Sequence, residues 1–143
     1  MKHLMIMVTL FVLATLPQVF AAESPTVIPA GAHQVVVPVD KDGVQRVEIL
    51  GSDYFFKPSH IVVKVNLPVE LNVRKDGYIV PHSIVINAPE AGIKINESLS
   101  RDLKAITFTP TKVGTYPMFC DKKPPFLASH REKGMEGILE VVE

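Results

Sequence analysis

The sequence predicts an all-β Greek-key β-sandwich of about eight strands with antiparallel pairing, and two observations carry that prediction. Runs rich in β-branched residues recur at 34–39, 44–50, 61–65, 69–73, 83–86, 105–108, 114–119 and 137–142, separated by clusters of Gly, Pro, Asn and Asp. Within the runs, side-chain character alternates with period two. In Ile61-Val62-Val63-Lys64-Val65 and Val69-Glu70-Leu71-Asn72-Val73 the odd positions are all apolar, while Lys64, Glu70 and Asn72 fall on the other face. One face of each strand is therefore expected in the core and the other in water. No long stretch reads as a helix, because each contains Pro, Gly or a dense set of β-branched side chains. Positions 97–104 are expected to form irregular turns.

Taken in order, the chain starts with a short basic head, Met1-Lys2-His3, followed by an uncharged apolar run from Leu4 to Leu16, then Pro17 and the small residues Ala21 and Ala22. This is the pattern of a secretory signal peptide over 1–21, cut after Ala21. The run is shorter than the ~20 residues that span a bilayer. A periplasmic or secreted protein with no membrane span after signal removal is expected. Positions 22–32, rich in Pro, Ala and Ser, read as a flexible leader. Residues 33–143 then form one domain, enough chain for one core and too little for two.

Setting Lys2 aside with the signal leaves 14 basic residues of the 15, against 15 acidic ones, a net charge near −1. No global field argues for nucleic acid or an anionic membrane. Cysteine usage is more telling. An exported domain ordinarily carries an even set of Cys for disulfides, but this chain has Cys120 alone. An unpaired thiol in an oxidising compartment calls for an occupant, and a metal is one.

Cys120 ends the run Gly114-Thr115-Tyr116-Pro117-Met118-Phe119, and His130 and Met135 follow it; His82 lies upstream, after Pro81 and before the run at 83–86. One thiolate, two imidazoles and one thioether make a ligand set that suits copper, with two His and a Cys in a trigonal plane and a long axial Met. Zinc accepts His and Cys but rarely recruits Met. A strand end plus its following loop, facing a His on a neighbouring strand, can hold such a set nearly fixed through a change of oxidation state. The expected cofactor is therefore one copper ion of the type 1 kind, with His82, Cys120, His130 and Met135 as ligands.

A strand His, then a Gly-x-Tyr strand ending in Cys, then His and Met resembles the cupredoxins, over roughly Asp53 to Glu143. The segment from Cys120 through Pro124-Pro125 and His130 to Gly134-Met135-Glu136-Gly137 resembles the type 1 copper loop of copper nitrite reductases. The upstream part, with Pro58, the run at 61–65 and His82, is similar to the copper domain of respiratory oxidase subunit II. The resemblance implies a cupredoxin-like sandwich and a mononuclear site. The oxidase domain's dinuclear centre needs two Cys, and this chain has one. In the nitrite reductases a His directly precedes the type 1 Cys and binds a second, catalytic copper; here Phe119 stands there. The expected function is thus a one-electron carrier between redox partner proteins rather than an enzyme. Copper capture and delivery, a small redox enzyme with an open copper position, and a metal-free binding module are the alternatives.

Other residues are expected to do ordinary work. His33 and His60 are expected to be solvated, Met118 to pack in the core, and Tyr116 and Phe119 to belong to the sandwich. Glu132 and Glu136 flank Met135 and are the candidates to replace it as axial ligand. Pro124, Pro125, Phe126 and Leu127 form an apolar patch beside His130, rimmed by Lys122, Lys123, Arg131 and Lys133, a surface suited to a transient redox encounter. His130 is expected to be the exposed ligand.

Overall fold

The computed structural model describes residues 33–143; the signal peptide and leader expected over 1–32 lie outside them. Ten strands make up the described chain: β1 Gln34–Val36, β2 Gln45–Ser52, β3 Phe55–Lys57, β4 His60–Lys64, β5 Val69–Lys75, β6 His82–Ala88, β7 Ile93–Leu99, β8 Lys104–Phe108, β9 Gly114–Phe119 and β10 Glu136–Val142. A single 3-10 turn, Pro89–Ala91, joins β6 to β7. The strands form two sheets, one of six in the order β1-β4-β10-β9-β6-β7 and one of four in the order β3-β2-β5-β8.

Each of the eight predicted runs becomes a strand, and two strands were not foreseen. One is β3, three residues long. The other is β7, where Ile93, Ile95 and Leu99 are buried and Lys94 and Asn96 exposed. The irregular turns expected over 97–104 shrink to the bend between β7 and β8, because β7 pairs along its whole length with β6. The run at 34–39 is a strand only to Val36, since Pro38 has no N–H to give the ladder.

The expected antiparallel pairing also needs correction. β1 with β4, β4 with β10, and β2 with β5 are parallel pairs. Parallel neighbours need a crossover connection, and the one from β2 to β5 passes through β3 and then β4 in the opposite sheet. The chain thus winds between the layers and locks them together.

The period-two pattern puts one face of each sheet inward. Ile49, Leu71 and Val73 from the smaller sheet meet Ile61, Val63, Ile84, Ile86, Met118 and Leu139 from the larger. The fully buried Gln45 clips the layers, its side-chain amide donating to the Lys64 carbonyl at 3.1 Å and accepting from the Lys64 N–H at 2.6 Å. The Gly-x-Tyr pair has a steric cause. The Tyr116 hydroxyl donates to the Lys112 carbonyl at 2.8 Å, folding the ring back over the start of β9. A β-carbon at Gly114 would sit 3.0 Å from that hydroxyl.

Candidate metal centre

Strand order brings the predicted ligands together. β9 runs antiparallel to both β6 and β10, with Phe119 opposite Val85 on one side and Glu136 on the other. The end of β9 therefore lies beside the starts of β6 and β10. Cys120 follows β9, His82 opens β6, and Met135 precedes β10. All three are buried, as is His130.

The connection from Cys120 to β10 is held by its own backbone. The Cys120 N–H donates to the Met135 carbonyl at 3.1 Å, the Met135 N–H to the His130 carbonyl at 2.9 Å, and the His130 N–H to the Lys122 carbonyl at 2.9 Å. Ser129-His130-Arg131-Glu132 is a capping box. The Ser129 hydroxyl accepts from the Glu132 N–H at 3.2 Å, and the Glu132 carboxylate accepts from the Ser129 N–H and hydroxyl, both at 2.7 Å. Those hydrogen bonds from Ser129 hold the Glu132 carboxyl below its ordinary pKa. The short turn carrying His130 thus starts at a fixed point. The S-x-x-E pattern was legible in the sequence; its bearing on a ligand was not.

The donor atoms of His82, Cys120 and His130 all lie within 4.8 Å of one another. Cys120 Sγ is 3.5 Å from His130 Nδ1, and the Ser83 N–H donates to the sulfur at 3.3 Å. The Ser83 hydroxyl gives its proton to Asp121 at 2.5 Å and accepts from the Asp121 N–H at 3.0 Å, tying the start of β6 to the residue after the cysteine. Burial lowers the pKa of both imidazoles, helped at His82 by His130 and Lys75 and at His130 by Lys133. The shift favours the neutral rings, whose lone pairs metal ligation requires.

His82 Nδ1 decides the fit. It is buried and has no hydrogen-bond partner. A buried polar atom left in this state costs ~1–3 kcal/mol, and a metal ion among the three donors removes that cost. Thiolate with two imidazoles in a closed, buried group is a donor set for copper. The cupredoxin-like domain model matches residues 4–130.

The chain belongs to the cupredoxin-like family. In a domain of this family His82, Cys120 and His130 are positioned to bind one copper ion. Among solved structures, the metal-binding domain of the Cu(I)-exporting P-type ATPase CopA of Streptococcus pneumoniae D39 is similar. It has a TM-score of 0.58 and 22% identity, over 80% of this chain and all of that one. Reduced auracyanin of Roseiflexus castenholzii aligns with TM-score 0.55 and 17% identity, over 68% of this chain and 97% of its own. The copper-containing nitrite reductase of Thermus scotoductus SA-01 aligns with TM-score 0.53 and 21% identity, over 80% of this chain but 29% of that one. At these identities the likeness is one of fold. No curated protein matches by sequence.

Several expectations about neighbouring residues change in this cupredoxin. His60 is not solvated: it is buried, with Nε2 2.7 Å from the Glu140 carboxylate. His33 is exposed, as expected. His130 is not the exposed ligand, being 1% accessible. It lines a surface cleft of about 330 Å³ with Pro81, Lys122, Lys123, Pro124 and Pro125. Glu132 and Glu136 do not turn inward; both are exposed, Glu132 bonded to Ser129 and Glu136 3.3 Å from Arg131. Phe119, where a second copper's His would stand, is half-buried under the Arg131 guanidinium, 4.4 Å from its ring centroid. Met118 is fully buried in the core.

Tyr54, Ser83 and Asp121 were not foreseen at the site. Ser83 and Asp121, each directly after a candidate ligand, carried a sequence signal; Tyr54 carried none. Gly-Met-x-Gly is explained by room. A β-carbon at Gly137 would collide with the Ser59 carbonyl oxygen, and Gly134 has φ +99°.

Proposed function

We propose that this protein is an exported one-electron carrier in which His82, Cys120, His130 and Met135 would hold one copper ion. The observation that carries the reading is a closed donor set assembled on hydrogen-bonded backbone. Met135 is fully buried, its backbone is bonded to both Cys120 and His130, and the carboxylates beside it point away. Copper, when bound, supplies a one-electron couple. The chain's own part is to keep the ligands still. The Ser83 N–H stabilises the thiolate, and sheet and capping box limit how far the imidazoles move, so electron exchange involves little rearrangement. The N-terminal apolar segment supports export to the periplasm or beyond.

The same end of the molecule offers a docking surface. Tyr78, Ile79 and Val80, in the loop entering Pro81, and Phe126 and Leu127, in the ligand loop, are exposed apolar side chains. Phe126 has φ +61° in a turn closed by the Leu127 N–H on the Pro124 carbonyl at 3.3 Å, and its ring is wholly exposed. The cleft at His130 lies between these loops, with Lys122 and Lys123 on its rim. A small apolar face with a charged rim favours brief encounters with redox partner proteins.

The test is a visible and electron spin resonance spectrum of the oxidised, copper-loaded protein. A strong thiolate-to-copper band is expected, absent in Cys120→Ser and intact in His33→Ala. An unchanged spectrum in Cys120→Ser overturns the site. A second reading, copper capture and delivery, is favoured by the fold shared with the CopA metal-binding domain, which was solved with Cu(I). Rapid loss of Cu(I) to a competing chelator with no reversible couple in voltammetry would select it. A reversible couple with slow metal loss selects the carrier.

A further inference from the structure

Asp53 and Tyr54 form the two-residue turn between β2 and β3, closed by the pairing of Ser52 with Phe55. Both have positive φ, +26° and +66°. A hairpin turn of this kind ordinarily places Gly second, because a side chain there is crowded. Here a tyrosine occupies it, and backbone strain of this sort gathers at functional sites.

The ring's contacts supply the reason. Tyr54 meets the His130 imidazole edge-on at 4.9 Å and 78°, and the His82 imidazole at 6.4 Å and 82°. Both lie within the range of edge-to-face aromatic pairs. Lys133 comes from the same short turn as His130 and holds the tyrosine from outside. Its Nζ is 4.4 Å from the ring centroid and donates to the Tyr54 hydroxyl at 3.3 Å. A hydrogen bond commonly fixes the orientation of a ligating imidazole. At His82, Nδ1 is the nitrogen left for the metal, and the edge contact with Tyr54 bears on how the ring is turned.

We propose that Tyr54 is the positioning residue that orients the His82 and His130 imidazoles before the metal arrives, with Lys133 locking the tyrosine ring in place. The inference rests on the assignment of His82 and His130 as copper ligands. It accounts for a strained turn that a glycine would relieve: the strain is retained because the ring braces the site. Partners that act through a ligand in this way commonly alter metal affinity by ~10–100-fold when removed.

Tyr54→Gly, Tyr54→Phe and Lys133→Met test it in the full-length protein. Tyr54→Gly relieves the turn backbone, which offsets part of the packing lost with the ring, so the metal-free variant is expected to stay folded. Its copper affinity should fall roughly tenfold, its thiolate-to-copper band and copper hyperfine splitting should shift, and its His82 and His130 ring resonances should broaden without metal. Tyr54→Phe keeps the edge contacts and should restore affinity and spectrum to near the parent. Lys133→Met should show a smaller shift in the same direction. Parent-like affinity, spectrum and ring resonances in Tyr54→Gly overturn the proposal, and so does a Tyr54→Phe as impaired as Tyr54→Gly. If the parent itself shows no copper band dependent on Cys120, the ligand assignment fails instead, a result separable from the first two.

Discussion

His60 and His82 each open a strand of the six-stranded sheet and each is 3% exposed, yet their imidazoles meet different chemistry. His60 finds a carboxylate, Glu140, at 2.7 Å on the neighbouring β10. His82 finds a thiol and a second imidazole, and its Nδ1 bonds to nothing. The first is a satisfied structural histidine and the second an unsatisfied one. The difference teaches that burial alone does not mark a ligand. A buried imidazole left without a partner beside other soft donors does.

The sharpest way to break this comparison is to add copper. A ligand that binds only the folded state stabilises it by RT ln(1 + [L]/Kd), ~4 kcal/mol at a thousandfold excess over Kd. Thermal melts with and without copper should show a large upward shift in the parent. That shift should vanish in His82→Ala and survive in His60→Gln. A copper-induced shift in His82→Ala equal to the parent's would remove the distinction.

Next in size is the other arm. Glu140→Ala leaves His60 buried without its partner, at a cost of about 1 kcal/mol, since the 37%-exposed Glu140 side chain is partly screened by water. The melting temperature should fall by ~4 °C, with the copper band unchanged. A changed band would place His60 within the metal site's influence.

The smallest effect is acid sensitivity of the metal-free protein. The pKa values of His82 and His130 are lowered from 6.5 by burial first. Well above pH 6.5 both rings are neutral whether folded or unfolded, so they add no slope. As pH falls below that, the unfolded chain takes up protons that the folded chain refuses, and stability declines until the folded values are passed. Urea melts of the metal-free protein from pH 7.5 to 5 should show this decline, and replacing both His82 and His130 by Gln should flatten it. An equal slope in the double variant would assign the protons elsewhere.

Much of this molecule was legible as a one-dimensional pattern. The eight runs were readable because β-branched alternation is local, and the glycines because local geometry calls for them: a β-carbon is crowded at Gly114 and Gly137, and Gly134 has positive φ. β7 was missed although Ile93, Ile95 and Leu99 alternate correctly, because Asn96, Glu97 and Ser98 have weak strand propensity and only pairing with β6 supplies the rest. His60 was misread because its partner lies 80 positions along the chain. His130 was misread for another reason: a loop residue is ordinarily exposed, and only the packing of that loop buries the ring.

The lone Cys120 and the order of His82, Cys120, His130 and Met135 determined by themselves that a soft-metal set was present, because ligand chemistry belongs to residue types. Tertiary structure alone decided which donors converge and which groups brace them. Strand order set Cys120 beside the start of β6 and gave Glu140 to His60. A two-residue turn far upstream laid Tyr54 against both imidazoles. Such contacts depend on directions in space, and no spacing along the chain encodes a direction.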